Sequence, residues 1–241
     1  MNWISFLTVV YNKDFDQLDQ QLCTAEEFLL SPHTFYIILC DELQYIDELQ
    51  SIVNKYPAHP CKIIHYLDLN GFTAPTTRTN GWSLQQALKL LVATHIETEY
   101  YAVLDAKNKF IELFDEDIFF KGEQARYTLD NFTSSTEWFQ IMWKNSFALF
   151  GLNSADYVDQ KILATPPYLM NTNIVCAMLE YFDTNAISIT DNVGVILPAD
   201  PKCADYYLYN AWIIKTKQID QIVWSDELVA SLPFDRTLRR H

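Results

Sequence analysis

The first half of the chain alternates short apolar runs with stretches in which apolar residues recur at helical spacing. Ile4 to Tyr11 is dense in β-branched and aromatic residues and reads as a first strand. Asn12-Lys13-Asp14 then turns into a helix whose buried stripe is Leu18, Leu22, Ala25 and Leu29, with Asp14 as its cap and Pro32 beyond its end. Thr34 to Cys40 is a second strand, stopping at Asp41-Glu42, and Leu43, Ile46, Leu49 and Val53 carry a second helix closed by Pro57 and Pro60. Lys62 to Leu69 is a third strand, followed by a polar loop over residues 70–79 that contains Arg78. Strands and helices in alternation predict a mostly parallel sheet wrapped by helices, a Rossmann-like half over residues 1–111.

The densest information lies in residues 80–111. Trp82, Leu84, Leu88, Leu91, Val92 and His95 fall at helical spacing, with Lys89 near the polar side and Gly81 just ahead, where a backbone can turn tightly. Tyr100-Tyr-Ala-Val-Leu104 follows as an apolar run without alternation, which suits a strand covered on both faces. It stops at Asp105-Ala-Lys-Asn108, placing a carboxylate, an amine and an amide where open α/β sheets hold their ligands, outside the carboxyl ends of the strands.

Beyond Ile111 the rhythm changes. An antiparallel strand is expected over residues 122–129 and an apolar helix over 136–149. Pro166-Pro167 stiffens a segment running to Asn173 and into a helix from Ile174 to Phe182; Ile187 to Thr190 reads as loop or edge strand. An aromatic helix spans Asp205 to Ile214, with Tyr207, Ala211 and Ile214 on one face. The expected organisation is one domain over residues 1–241, with an α-rich half at 112–241.

Composition narrows the function. An apolar fraction of 49% with only five glycines describes a packed globular chain. The five cysteines are scattered, odd in number and form no CxxC pair, which argues against a disulfide framework or zinc site and for a reducing, cytoplasmic location. A net charge of −14 repels phosphate backbones, so nucleic acid is not an expected partner. The basic ending, Arg236 to His241, is the exception: a solvated tail, or a contact with an anionic surface or a diphosphate. No apolar run is long enough to span a membrane, and the first ten residues read as a strand and not as a signal peptide. Neither GxGxxG nor GxxxxGK[ST] occurs.

The run Gly81-Trp82-x-x-Gln85-Gln86-x-x-Lys89-Leu90, followed by a strand ending Leu104-Asp105-Ala106, resembles the GT-A-type glycosyltransferases. More closely it is similar to an uncharacterised bacterial GT-A-like family associated with surface-glycan genes. The likeness is strongest over residues 81–111 and extends loosely to 166–173 and to the helix starting at Asp205. It implies a GT-A-like α/β fold, a nucleotide-sugar donor and a glycan acceptor.

Breaking a sugar–phosphate bond builds negative charge on the departing diphosphate, and a preorganised cation must meet it. The usual device is an Asp-x-Asp pair holding Mg2+ or Mn2+. Here Asp105 is kept, but Lys107 stands where the second Asp would be. Either Asp105 ligates a metal with help from Asn108 or a distant side chain, or Lys107, with Arg78 or Lys89, supplies the positive charge itself. The second is favoured, with Asp105 then bonding ribose or sugar hydroxyls. By resemblance Asp205 is the candidate base and Asp191 a second choice; the bland role for Asp205 is a carboxylate at a helix N-terminus. Thr8, Tyr11 and Asp41 lie at strand ends that could frame the nucleotide, and Trp82 and Gln85 complete the donor-side candidates. Asn171, Asn173 and Tyr209 are the acceptor-side candidates, each with a structural alternative as turn, helix cap or core.

Two competing readings stand beside the enzyme. A non-catalytic GT-A-like module that binds glycans or a partner would explain the lost second Asp. A nucleotidyltransferase would share the Rossmann-like half, but the basic glycine-rich phosphate loop is missing after strand one.

Overall fold

The computed structural model describes residues 4–72, 81–128, 137–160, 166–192, 195–197, 200–201, 203–225 and 234–235. Its first strand, β1 (Ile4–Val10), is buried along its whole length, as its unbroken apolar and small-polar sequence requires. With β2 (Phe35–Leu39), β3 (Cys61–His65) and β4 (Tyr100–Leu104) it forms a parallel sheet. The spatial order is β3-β2-β1-β4-β8, the last strand, β8 (Tyr168–Asn171), running antiparallel to β4. The strand order reverses at β1, which has β2 on one side and β4 on the other, the topology at which open α/β sheets bind ligands outside the carboxyl ends of their strands.

Side-chain alternation assigns the helices to faces. Thr8 of β1 points at α1 (Phe15–Phe28), whose buried stripe is Phe15, Leu18, Gln21, Leu22 and Ala25; α2 (Ile46–Val53) packs beside α1. Tyr101 of β4 points the opposite way, toward α3 (Gly81–Leu91), which packs with α5 (Thr172–Thr184) and α7 (Asp205–Lys215). The mixed α/β layering with a mostly parallel sheet is the expected architecture.

The second half departs from expectation in four places. The segment after Pro167 is a strand, β8, and joins the main sheet, because Tyr168-Leu-Met pairs with Val103-Ala-Tyr and buries both faces. Of Ile187–Thr190, expected as loop or edge strand, Ile187 and Ser188 are loop, whereas Ile189 and Thr190 open a short helix, α6 (Ile189–Asn192). α7 has no polar face: every residue from Asp205 to Ile214 is buried, since it is enclosed by α3, α5 and α4 (Glu137–Ala148). The region is also less purely helical than predicted. β5 (Lys109–Phe110) and β6 (Phe120–Lys121) precede the expected antiparallel strand, β7 (Gln124–Thr128), which pairs with β6; β9 (Val195–Leu197) and β10 (Asp200–Pro201) form a hairpin. β11 (Ile222–Ser225) pairs parallel to β7, and β12 (Phe234–Asp235) pairs antiparallel to β5. In the first half, β3 ends at His65 and a single 3-10 turn takes Tyr66 to Asp68, shortening the third strand. Among the described residues no helix is long and apolar enough to cross a membrane.

Candidate functional site

Leaving β4, the chain makes a tight turn over Asp105–Asn108. The Asn108 backbone N–H donates to the Asp105 carbonyl at 2.9 Å, and the Asp105 N–H donates to the Asn108 side-chain oxygen at 2.7 Å. Asn108 therefore spends its carbonyl oxygen on the turn, where sequence reasoning had offered it to a metal. A third residue clamps the turn from α1. Gln21, with no accessible surface, donates through Nε2 to the carbonyls of Asp105 (2.8 Å) and Asn108 (3.0 Å), and accepts from the Thr8 hydroxyl at 2.8 Å. Thr8 is thus committed to the core and not open to a base. Gln21 was missed in the sequence, although a glutamine inside an apolar stripe is itself a signal that a buried polar group needs partners.

The clamp fixes where Asp105 points. Its two carboxylate oxygens face two ammonium groups, Lys89 at 3.8 Å and Lys107 at 3.4 Å. The two lysines differ in setting: the Lys89 side chain is 6% exposed and comes from inside α3, whereas Lys107 is 46% exposed and Asp105 32%. Lys89 also lies 6.0 Å from the ring centre of Tyr168. The Tyr168 hydroxyl in turn donates to Asp205 Oδ2.

Asp205 opens α7 and has no accessible surface. Burial pushes its pKa up, against the nearby Lys89 charge and the Tyr168 hydroxyl, which pull it down, while Asp105 adds to the rise. Its Oδ1 has no hydrogen-bond partner. The candidate base is therefore sealed inside the protein, linked through Tyr168 and Lys89 to the partly exposed carboxylate of Asp105. Sequence reasoning missed Tyr168 because the strand that carries it had been read as a proline-stiffened connection.

The start of α3 lies against the residue that follows β1. The Tyr11 hydroxyl donates to the Gly81 carbonyl at 3.0 Å, and a Cβ on Gly81 would stand 2.7 Å from that hydroxyl oxygen. Gly81 has no left-handed backbone, so glycine is needed for close approach of Tyr11 and not for a tight turn. Burial and a hydrogen bond with Cys40 raise the Tyr11 pKa, and burial pushes the Cys40 thiol up to about 11. Trp82 packs its indole on Trp138 at 4.9 Å, both half-buried. Gln85 is half-buried, while its neighbour Gln86 is buried, with Oε1 lacking any hydrogen-bond partner.

The remaining candidates are placed as follows. Asp41 accepts from the backbone N–H groups of Asn12 (3.2 Å) and Glu42 (2.9 Å), so its carboxylate ties the ends of β1 and β2 together. Asn171 caps α5 by accepting from Ile174 N–H at 3.1 Å, and Asn173 is exposed on that helix. Tyr209 is core: its hydroxyl meets that of Tyr127 at 2.8 Å and accepts from Asn171 N–H at 2.9 Å, leaving no open face for a sugar. Arg78, the side chain of Asp191 and the basic run Arg236–His241 lie outside the described residues.

A divalent ion such as Mg2+ or Mn2+ asks for several oxygen ligands around it. Asp105 offers one carboxylate, already faced by two ammonium groups, and among the described residues no three His, Cys, Asp or Glu side chains gather to hold an ion. This donor set does not fit a divalent cation.

In outline the chain is similar to the apo structure of the bifunctional glycosyltransferase WbbM, with a TM-score of 0.49 and 10% identity, over 93% of this chain and 39% of that one. It is also similar to the apo form of mouse xyloside xylosyltransferase 1, with a TM-score of 0.48 and 9% identity, over 92% of this chain and 84% of that one. The chain thus spans well under half the length of WbbM. No curated protein matches its sequence. Residues 8–238 match a family of unknown function, DUF6492, and the chain belongs to that family.

Proposed function

We propose that this protein is a nucleotide-sugar-dependent glycosyltransferase that meets the departing diphosphate with lysine ammonium groups and not with a metal ion. The observation that carries the reading is the Lys89–Asp105–Lys107 cluster at the carboxyl end of β4, beside the point where the strand order reverses. In the reaction an acceptor hydroxyl attacks the anomeric carbon and the bond from that carbon to the diphosphate oxygen breaks. The bonding electrons pass to the phosphate, and the acceptor proton leaves to a base. Lys107, exposed and on a fixed turn, is the group placed to reach the phosphates; Lys89 adds charge from the dry side, where it acts more strongly. Asp105 orients both ammonium groups and is the accessible carboxylate for sugar or ribose hydroxyls. Asp205 serves as the buried anchor of Tyr168 beneath Lys89.

The similarity of residues 81–111 to the surface-glycan-associated family supports a glycan acceptor in surface or capsular polysaccharide synthesis. A thermal-shift panel of UDP, GDP, CMP, TDP and their sugars, each with EDTA and with Mn2+, tests the reading. Ligand at about a hundred times its dissociation constant stabilises by about 2.7 kcal/mol, roughly 5–10 °C for a chain of this size. The expected result is a shift for one nucleotide that survives EDTA and is lost in Lys107→Ala. No shift for any nucleotide sinks the proposal and favours the non-catalytic module.

A further inference from the structure

We infer that Tyr168 is a positioning residue for the transfer reaction: its ring, hooked to Asp205, holds the Lys89 ammonium turned toward Asp105 and the departing diphosphate. The inference rests on the glycosyltransferase reading above and adds what keeps the buried cation of that site in place.

A lysine head is a compact charge on a flexible stem, so it meets a substrate in one fixed place only if something besides its own chain holds it. Lys107 is 46% exposed on its turn and is free to follow a ligand; Lys89, at 6%, is not. The Lys89 ammonium stands 3.8 Å from Asp105 Oδ1, longer than a hydrogen bond, so this ion pair sets a distance without setting a direction. The direction comes from two tyrosines on neighbouring strands. Tyr101 of β4 donates from its hydroxyl to the Lys89 carbonyl at 3.0 Å and pins the root of the side chain. Tyr168 of β8 pairs with Val103, two residues beyond Tyr101, and so projects from the same face of the sheet. The Lys89 ammonium lies over the Tyr168 ring, 6.0 Å from its centre. The negative face of a ring attracts a cation, most strongly where water is excluded. Root and head of Lys89 are thus held from one face of the sheet.

The ring is itself held. Its hydroxyl donates to Asp205 Oδ2, and the Tyr206 ring meets it edge-on at 5.7 Å and 66°. Asp205 has no accessible surface, and the Tyr206 backbone N–H also bonds to its carboxylate. It sits on α7, which packs against α3, so the anchor of the ring and the stem of the lysine belong to one packed unit. Asp205 touches no solvent and no substrate; its hydrogen-bonded route to the site runs through Tyr168. The product is a cation preorganised on the dry side of the cluster, which meets developing charge without reorganising at the moment of reaction.

Titration calorimetry with the nucleoside diphosphate that raises the wild-type melting temperature tests this. Lys89→Met is expected to weaken binding about tenfold. Tyr168→Phe keeps the ring but frees it from Asp205, and is expected to weaken binding about threefold. Asp205→Asn keeps an oxygen for the Tyr168 hydroxyl and is expected to bind the diphosphate at least as well as the wild type. In a Lys89→Met background Tyr168→Phe is expected to add no loss, because both changes act on the same ammonium. A tyrosine that only fills the core would lower the melting temperature of the free protein and change affinity by the same factor with or without Lys89. Wild-type affinity in Tyr168→Phe, weaker binding in Asp205→Asn, or strict additivity with Lys89→Met overturns the inference and leaves the functional reading standing. A wild type that answers no nucleotide removes both.

Discussion

Gln21 is the residue on which the geometry of the site most depends, and its replacement gives the sharpest test of the structure. Gln21→Met preserves length and burial but removes one acceptor and two donated bonds at once. The Asp105 carbonyl keeps a partner in the Asn108 N–H, whereas the Asn108 carbonyl and the Thr8 hydroxyl each lose the bond that Gln21 gave them. An orphaned buried polar group costs about 1–3 kcal/mol, so the expected loss is roughly 2–4 kcal/mol after crediting the apolar replacement. At about 2–4 °C per kcal/mol for this chain length, the melting temperature should fall by about 5–15 °C. Thr8→Val alone leaves Gln21 Oε1 without its donor and should cost about 1–2 kcal/mol. The double variant should cost less than the sum, by about 1 kcal/mol, since the shared bond is lost only once. Calorimetry on the four proteins of the cycle reads all of this. A Gln21→Met loss below about 1 kcal/mol, or strict additivity with Thr8→Val, would show that the glutamine does not clamp the turn.

Two further expectations concern pH. His33 and His59 are buried, and burial lowers both pKa values; the His59 Nδ1 accepts from the His33 backbone N–H, which a protonated ring could not do. Unfolded imidazole takes up its proton near pH 6.5, the folded rings only at lower pH, so their contribution is intact above that value and is lost as the pH falls below it. Melting temperatures should drop from pH 6.5 toward pH 5, less steeply in His59→Gln; a flat profile would contradict the neutral pair. Asp205 has the opposite sign. Its folded pKa is raised, so the ionised carboxylate erodes stability as pH rises from the ordinary carboxylate range near 4 through the folded value. Asp205→Asn keeps an acceptor for Tyr168 and should gain on the wild type across that rise, levelling off above it; a variant that loses ground at every pH would mean the buried charge is compensated by Lys89.

The sequence by itself determined the frame. The short, β-branched and aromatic runs of β1, β2 and β4 read as strands, and the helical stripes between them pointed to parallel crossovers. It also placed Asp105 and Lys107 at a strand end, because the apolar run stops there. What it could not supply was which distant groups meet that end. Besides Lys107 on its own turn, Asp105 meets Lys89 of α3, which the sequence had offered only as an alternative to Arg78; the partner of its turn comes from α1, and those of Lys89 from β8 and α7, more than fifty residues further along. Gln21 drew no role from a pattern that weighs polarity only, and Asp205 and Tyr209, each open to a site role or a structural one in the sequence, proved buried because α7 is enclosed by its neighbours. Local order follows from periodicity, which is a property of neighbours in the chain. Whether a polar group is buried, and whether its partner is present, follows from packing between elements, and that was decided only when the sheet and its two helical layers came together.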